Sequence, residues 1–232
     1  MSRPVGRSRF LLAGLLLLLT ACAASHPAGP ATGVFQHDIT GEAAPWTHAS
    51  FDDEQNKFTF ALFSDLTGGE REGVFNVAIA QLNLLRPELI VNVGDLIEGG
   101  TTDNDQLAKE WSSFDQRAGH ARAPVFYTGG NHDLTNPDMW QVFEARYGRR
   151  YYHFIYKNTL FLVLDTEDNP PEFQWVIDQI RNEAIAITDK EGWAALHRTA
   201  YGQLTERRSG RISAEQASYF REVIAQNPQV RW

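Results

Sequence analysis

The sequence predicts an α/β fold built on a mainly parallel sheet, and three observations carry that expectation. Short apolar runs alternate with amphipathic stretches between Lys57 and Gly130, in the order strand, helix, strand, helix, strand. Each apolar run stops at polar residues beside glycine, where functional groups gather at the carboxyl ends of parallel strands. The chain has 232 residues, 43% of them hydrophobic, which suits one sizeable domain with a leader and is too short for two.

Taken in order, Arg3, Arg7 and Arg9 precede an apolar run from Phe10 to Leu19. That run is about ten residues, roughly half a bilayer span, so it reads as a secretion signal rather than a membrane helix. It ends Leu19-Thr20-Ala21-Cys22, which resembles the bacterial lipobox, and Cys22 is the only cysteine. An internal disulfide is therefore excluded, and the thiol is expected to carry a lipid anchor. Residues 1–21 are then the signal peptide. Ala23 after the cysteine provides no acidic retention signal, so the expected location is the outer membrane, facing the periplasm. Residues 22–56, rich in Ala, Pro, Gly, His and Thr, read as a flexible tether, and the fold is expected to begin near Lys57.

Lys57 to Ser64 is aromatic and β-branched enough for a buried strand, and Glu72 to Leu85 repeats apolar residues at helical spacing until Arg86-Pro87. Glu88 to Gly94 and Ala123 to Gly130 read as two more buried strands, with a helix around Gln106 to Ala118 between them. Tyr151 to Asp165 reads as a hairpin around Lys157-Asn158. Residues 167–212 are charged, partly helical and interrupted by Pro170-Pro171, and are expected to form an insert or lid over the core. A last helix starts at Ser213, where Gln216 completes a capping box, and stops at Asn227-Pro228. Gln229 to Trp232 reads as the start of another strand.

The formal charge is −8, from 21 Lys and Arg against 29 Asp and Glu. Binding to a phosphate backbone needs clustered cations, so nucleic acid is a poor partner.

Three strand ends deliver Asp65, then Asp95 in Gly94-Asp95-Leu96-Ile97, then Asn131 and His132 in Gly130-Asn131-His132-Asp133. Singly, each has a local explanation as a cap or turn residue. Together, hard oxygen donors and an imidazole at one sheet edge make a site for divalent metal. This order of motifs, across residues 57–232, resembles the calcineurin-like metallophosphoesterase family. The resemblance implies a sandwich of two sheets flanked by helices, carrying two metal ions (Mn, Fe or Zn), and hydrolysis of a small phosphomonoester or phosphodiester. It assigns Asp65 to one metal, Asp95 to the bridge, Asn131 to the other metal, and His132 to a place beside the scissile phosphate. Two cations there would activate water and hold phosphoryl oxygens, while the histidine protonates the leaving group or stabilises charge.

The family's usual first motif places a histidine where this chain has Thr67, and a hydroxyl is a weaker ligand than imidazole. The purple acid phosphatase branch instead uses a tyrosine three residues after the bridging aspartate; Glu98 stands there and is the candidate replacement donor. Nothing after His132 resembles the family's later histidine motifs. His153 and His197 read as structural or exposed. Since the chain stops at Arg231-Trp232, a C-terminally truncated domain is expected. The alternative to an enzyme is then an inactive or binding lipoprotein that retains part of the metal site.

Overall fold

Residues 34–51 and 58–230 are described by the computed structural model, and strand structure starts earlier than the sequence predicts. The leader, Cys22 and the first part of the expected tether lie outside the described residues. Strand β1 (Phe35–His37) falls inside that tether. It is followed by β2 (Phe60–Phe63), helix α1 (Val74–Leu85), β3 (Leu89–Asn92), α2 (Asn104–Ala118) and β4 (Val125–Phe126). Next come α3 (Pro137–Tyr147), β5 (Tyr152–Tyr156), β6 (Thr159–Val163) and α4 (Pro171–Glu191). A 3-10 helix (Trp193–Arg198), two single turns α5 (Ala200–Gln203) and α6 (Glu206–Ser209), and α7 (Ala214–Gln226) complete the order. All described residues lie within the compact unit Gly33–Trp232.

The strands make two sheets. One is parallel, ordered β2-β3-β4; the other is antiparallel, ordered β1-β5-β6. Side-chain alternation decides how they stack, because successive residues of a strand point to opposite faces. Ile90 and Val125 face a core shared with Phe75, Ile79, Trp111, Phe114 and Phe143 of α1 to α3. Leu89, Val91 and Phe126 face the other way, onto Tyr152, Phe154 and Tyr156. Phe126 stacks on Phe154 at 4.2 Å, and Phe154 on Phe161 at 4.6 Å. The outer face of the antiparallel sheet is covered by Val223 and Tyr219 of α7 against Ile155, Leu160 and Leu162. Helices, sheet, sheet and helix thus follow one another, the two-sheet α/β sandwich that the sequence resemblance implies.

The expected tether from 22 to 56 is corrected over residues 34–51. β1 pairs with the edge of β5, Phe35 opposite Tyr156. Pro45 to Thr47 then runs beside β4: Tyr127 donates to the Pro45 carbonyl at 2.8 Å and Thr47 donates to the Val125 carbonyl at 3.0 Å. Phe35, Ile39, Trp46 and Phe51 enter the layer between the sheets. These residues lack strand-like alternation, and their partners lie far along the chain.

Local signals explain most other elements. Lys157 and Asn158 both take positive φ, 44° and 63°, as a two-residue hairpin turn requires. Asn136 caps α3 by accepting from the Met139 N–H at 3.0 Å, and Pro137 occupies the first turn, which the sequence reading missed. Ser213 accepts from the Gln216 N–H at 3.1 Å, but the Gln216 side chain turns away to bond both the N–H and the carbonyl of Asp165. Only half of the expected capping box forms, because a buried strand end competes for the amide. Pro228 to Val230 make a turn rather than a strand, and the last two residues lie outside the described region.

Candidate active site

The carboxyl ends of β2, β3 and β4 are tied together by main-chain and buried polar contacts. Asn92, fully buried at the end of β3, donates to the Phe126 carbonyl at 3.0 Å and accepts from Thr128 N–H at 3.0 Å and Gly94 N–H at 3.2 Å. Gly94 then turns with φ 95°; a Cβ there would stand 2.5 Å from the Gly130 nitrogen, so only glycine lets the two loops touch. Asp65 donates its N–H to the Gly94 carbonyl at 3.2 Å, and Leu66 donates to the Asp95 carbonyl at 2.9 Å.

Asp133 holds the second and third loops in register. Its Oδ2 accepts from the N–H groups of Asp95 at 2.7 Å and Gly130 at 2.9 Å, and its Oδ1 from Leu96 at 2.9 Å and Ile97 at 3.1 Å. Burial pushes this carboxyl up to about 7, while the N–H donors pull it down. Four donors occupy the four lone-pair sites of a carboxylate and leave none for a proton, so the ionised form fits the geometry. Asp65 and Asp95 both adopt left-handed backbone, φ 54° and 59°, conformations that few residues other than glycine accept outside tight turns.

Asp95, Glu98, Asn131 and His132 line one cleft of about 690 Å³ together with Gly68. Glu98 accepts from the Gly68 N–H at 2.9 Å, joining the first loop to the second. His132 places Nδ1 2.9 Å from the Glu98 carbonyl, and its N–H donates to Asp95 Oδ1 at 3.0 Å. A carbonyl only accepts, so Nδ1 carries the proton and Nε2 is left to act in the cleft. Asp65 lies outside the cleft lining, exposed, with the Ser64 hydroxyl donating to its carboxylate. Thr67 contributes its N–H to the Asp95 carbonyl at 3.3 Å. Among the described residues no group of three or more His, Cys, Asp or Glu is placed to hold a metal ion. His153 instead bonds the Tyr219 hydroxyl at 2.7 Å, and His197 is an exposed residue of the 3-10 helix.

The profile of the calcineurin-like phosphoesterases matches residues 58–202, more than half of the chain. The chain belongs to this family. Its members are generally metal-dependent phosphoester hydrolases, and the matched span contains all three strand-end loops of this chain. No curated protein matches the chain closely enough to count as a relative.

Two features of the candidate site go beyond the sequence reading, which expected an insert or lid over the core without naming its residues. The opposite wall of the cleft comes from the 167–212 insert, which supplies Arg181, Trp193, Tyr201, Arg207 and Arg208. Its first helix is fastened to the third loop by Gln174, whose Nε2 donates to the Thr135 carbonyl at 2.9 Å. The second is Glu167, just past the end of β6, which lies outside the cleft lining but within electrostatic reach of Asp95; burial first, then Asp165 and Asp95, push it up to about 7. A carboxylate at a strand end was the available signal, the same one that marks Asp65 and Asp95.

Asp165 is also pushed up, to about 6, by burial, although Arg150 Nη1 lies 2.9 Å from its Oδ2. The ordinary values are 3.8 for Asp165 and 4.5 for Glu167, so the folded protein keeps protons that the unfolded chain releases. Stability from these two groups is therefore fully present below about pH 4 and is lost as the pH rises through 6 to 7. The urea midpoint of metal-free protein is expected to fall between pH 5 and pH 8, and Asp165→Asn should flatten part of that slope. A midpoint that rises over the interval would mean both carboxyls are ionised in the fold.

Proposed function

We propose that this protein hydrolyses a small phosphomonoester or phosphodiester with two divalent or trivalent metal ions, Mn, Fe or Zn. The observation that carries the reading is the convergence of Asp95, Glu98, Asn131 and His132 on one cleft at the carboxyl ends of a parallel sheet. Their hard oxygen donors fit a family metal; Asp95, Glu98 and Asn131 would hold it, with Asp65 on the adjoining loop. When bound, the metal supplies Lewis-acid polarisation of the phosphoryl group and a water acidic enough to attack at neutral pH. His132, fixed through Nδ1, presents Nε2 to the leaving oxygen and delivers a proton there when the ring is charged. Asp133 does no chemistry in this scheme; it keeps the loops at the spacing that the donors need.

The leader supports export, and Cys22 supports lipid attachment at the periplasmic face of the outer membrane, within reach of small phosphate esters. The acidic balance of the chain speaks against nucleic acid as substrate.

The test is metal per chain after chelation and reloading with manganese, iron or zinc, followed by hydrolysis of p-nitrophenyl phosphate and its bis-ester. Wild type is expected to take up metal and to hydrolyse at least one ester. Asp95→Asn should lose both properties, and Glu98→Ala should weaken metal affinity by about tenfold or more. Unchanged metal affinity in Glu98→Ala would remove that residue from the shell. Metal uptake without turnover would identify a binding protein, and neither would overturn the proposal.

A further inference from the structure

The insert wall of the cleft carries three arginines that no carboxylate pairs directly among the described residues. Arg117, Arg146, Arg149, Arg150 and Arg198 each pair with a carboxylate. Arg181, Arg207 and Arg208 form no ion pair among the described residues; neither do Arg71, Arg86, Arg122, Arg211 and Arg221, but of these eight only the first three line the cleft, and Arg181 has Asp178 within electrostatic reach. Arg181 is 9% exposed and lies against Gly100, where a Cβ would stand 2.5 Å from its Nη1. The glycine after Gly99 thus admits a guanidinium beside the loop that bears Asp95 and Glu98. Arg207 rests over the Tyr201 ring at 5.4 Å, and Arg208 reaches the Gly202 carbonyl at 3.5 Å. Each retains N–H donors for an anion, and guanidinium is the side chain best matched to phosphate and carboxylate oxygens.

Size and apolar surface narrow the ligand further. A cleft of about 690 Å³ lies in the range that encloses a drug-sized molecule and is far larger than one phosphoryl group. Trp193, 74% exposed, and Ile185 offer apolar surface on the same wall. If Asp95, Glu98 and Asn131 take metal and the scissile phosphate, the arginines face a different part of the substrate.

We propose that the substrate is a small phosphoester with a flat apolar portion and a second anionic group, which Arg207 and Arg208 receive with Arg181 behind them. This rests on the reading of the opposite wall as the phosphoester site. The second group is a phosphate or a carboxylate, since both match the same guanidinium donors.

The test is calorimetric binding to metal-loaded protein, with each ester below replaced by its C–P phosphonate so that nothing turns over. The probes are phenyl phosphate, 4-carboxyphenyl phosphate and benzene-1,4-diyl bisphosphate at low salt. The two doubly anionic probes are expected to bind at least about tenfold tighter than phenyl phosphate, and whichever binds tighter identifies the second group. Arg207→Gln with Arg208→Gln, both exposed and therefore expected to fold, should remove that advantage while leaving phenyl phosphate binding unchanged. Equal binding of all three probes, or of none, overturns the proposal. So does an equal loss for phenyl phosphate in the double variant, because the arginines would then hold the scissile phosphate itself. Discrimination that survives while metal-loaded protein fails to hydrolyse any ester would reject the enzyme reading and keep this one.

Discussion

Asp133→Ala is expected to lower stability by about 3–5 kcal/mol and to abolish metal uptake, although Asp133 touches neither metal nor substrate in the proposed scheme. The substitution strands four N–H groups around a fully buried position, those of Asp95, Leu96, Ile97 and Gly130. An unsatisfied buried donor costs roughly 1–3 kcal/mol, and relaxation or entering water recovers part of the sum. The loss is a large fraction of the 5–15 kcal/mol typical of whole domains. Asp133→Asn sharpens the test. The amide keeps the shape but turns one pair of acceptor sites into donors facing N–H groups, so it should be nearly as damaging. Urea denaturation and metal content read both effects; an Asn variant as stable as wild type would show that the charge and the fourfold acceptance do not matter.

A chain that begins at Lys57 is expected to fail to fold, whereas one that begins at Gly33 should unfold cooperatively. The segment between them closes two sheet edges at once. β1 lies on β5, and Pro45 to Thr47 lie along β4, where the Thr47 hydroxyl also accepts from the Val125 N–H at 3.1 Å. Removing it exposes both edges to pairing with other chains. It also strips Phe35, Ile39, Trp46 and Phe51 from the layer between the sheets. At roughly 1–2 kcal/mol for each partly buried side chain, the loss is on the order of 4–8 kcal/mol, comparable with the net stability of a domain. The comparison needs only soluble yield and a thermal melt of the two chains. Equal midpoints would restore the tether reading for the whole of 22–56.

The parallel sheet was legible because its strands are continuous apolar runs followed by loops that carry glycine, although β2, expected to be buried, is an edge strand that leaves Phe60 and Leu62 exposed; the hairpin was legible because Lys157-Asn158 separates two alternating segments. β1 was not, since three residues among Ala, Gly, His and Pro carry no period, and Phe35 finds its partner Tyr156 at the far end of the sandwich. α3 was hidden by Asn136-Pro137, which reads as a turn but acts as a helix cap followed by its first turn. Asp65 follows β2 yet lies outside the cleft lining, whereas sequence order sufficed to bring Asp95, Glu98, Asn131 and His132 to one cleft, because they follow neighbouring strands of one sheet. On the insert side it did not. Arg181, Arg207 and Arg208 are spaced as on any solvated surface, and only the packing of α4, the 3-10 helix, α5 and α6 in succession brings them to one cleft. Asp133 was quoted in its motif without a role; that role depends on backbone groups 36 to 38 residues away.

Three of the four bonds to Asp133 come from main-chain nitrogens of the second loop, so between Asp95 and Ile97 its path is held by backbone donors and by the buried Leu96 and Ile97, not by the groups that face the cleft. Position 98, one residue beyond the last of those nitrogens, lies outside that clamp, and a replacement there gives up one bond, from the Gly68 N–H. Thr67 is similarly held by its N–H rather than its hydroxyl. The scaffold separates shape from chemistry: a lineage, or an engineer, can try glutamate, tyrosine or histidine at 98 and threonine or histidine at 67 as interchangeable parts. With metal held as proposed, its preference becomes an evolvable setting, adjustable by single substitutions that leave the Asp133 clamp in place.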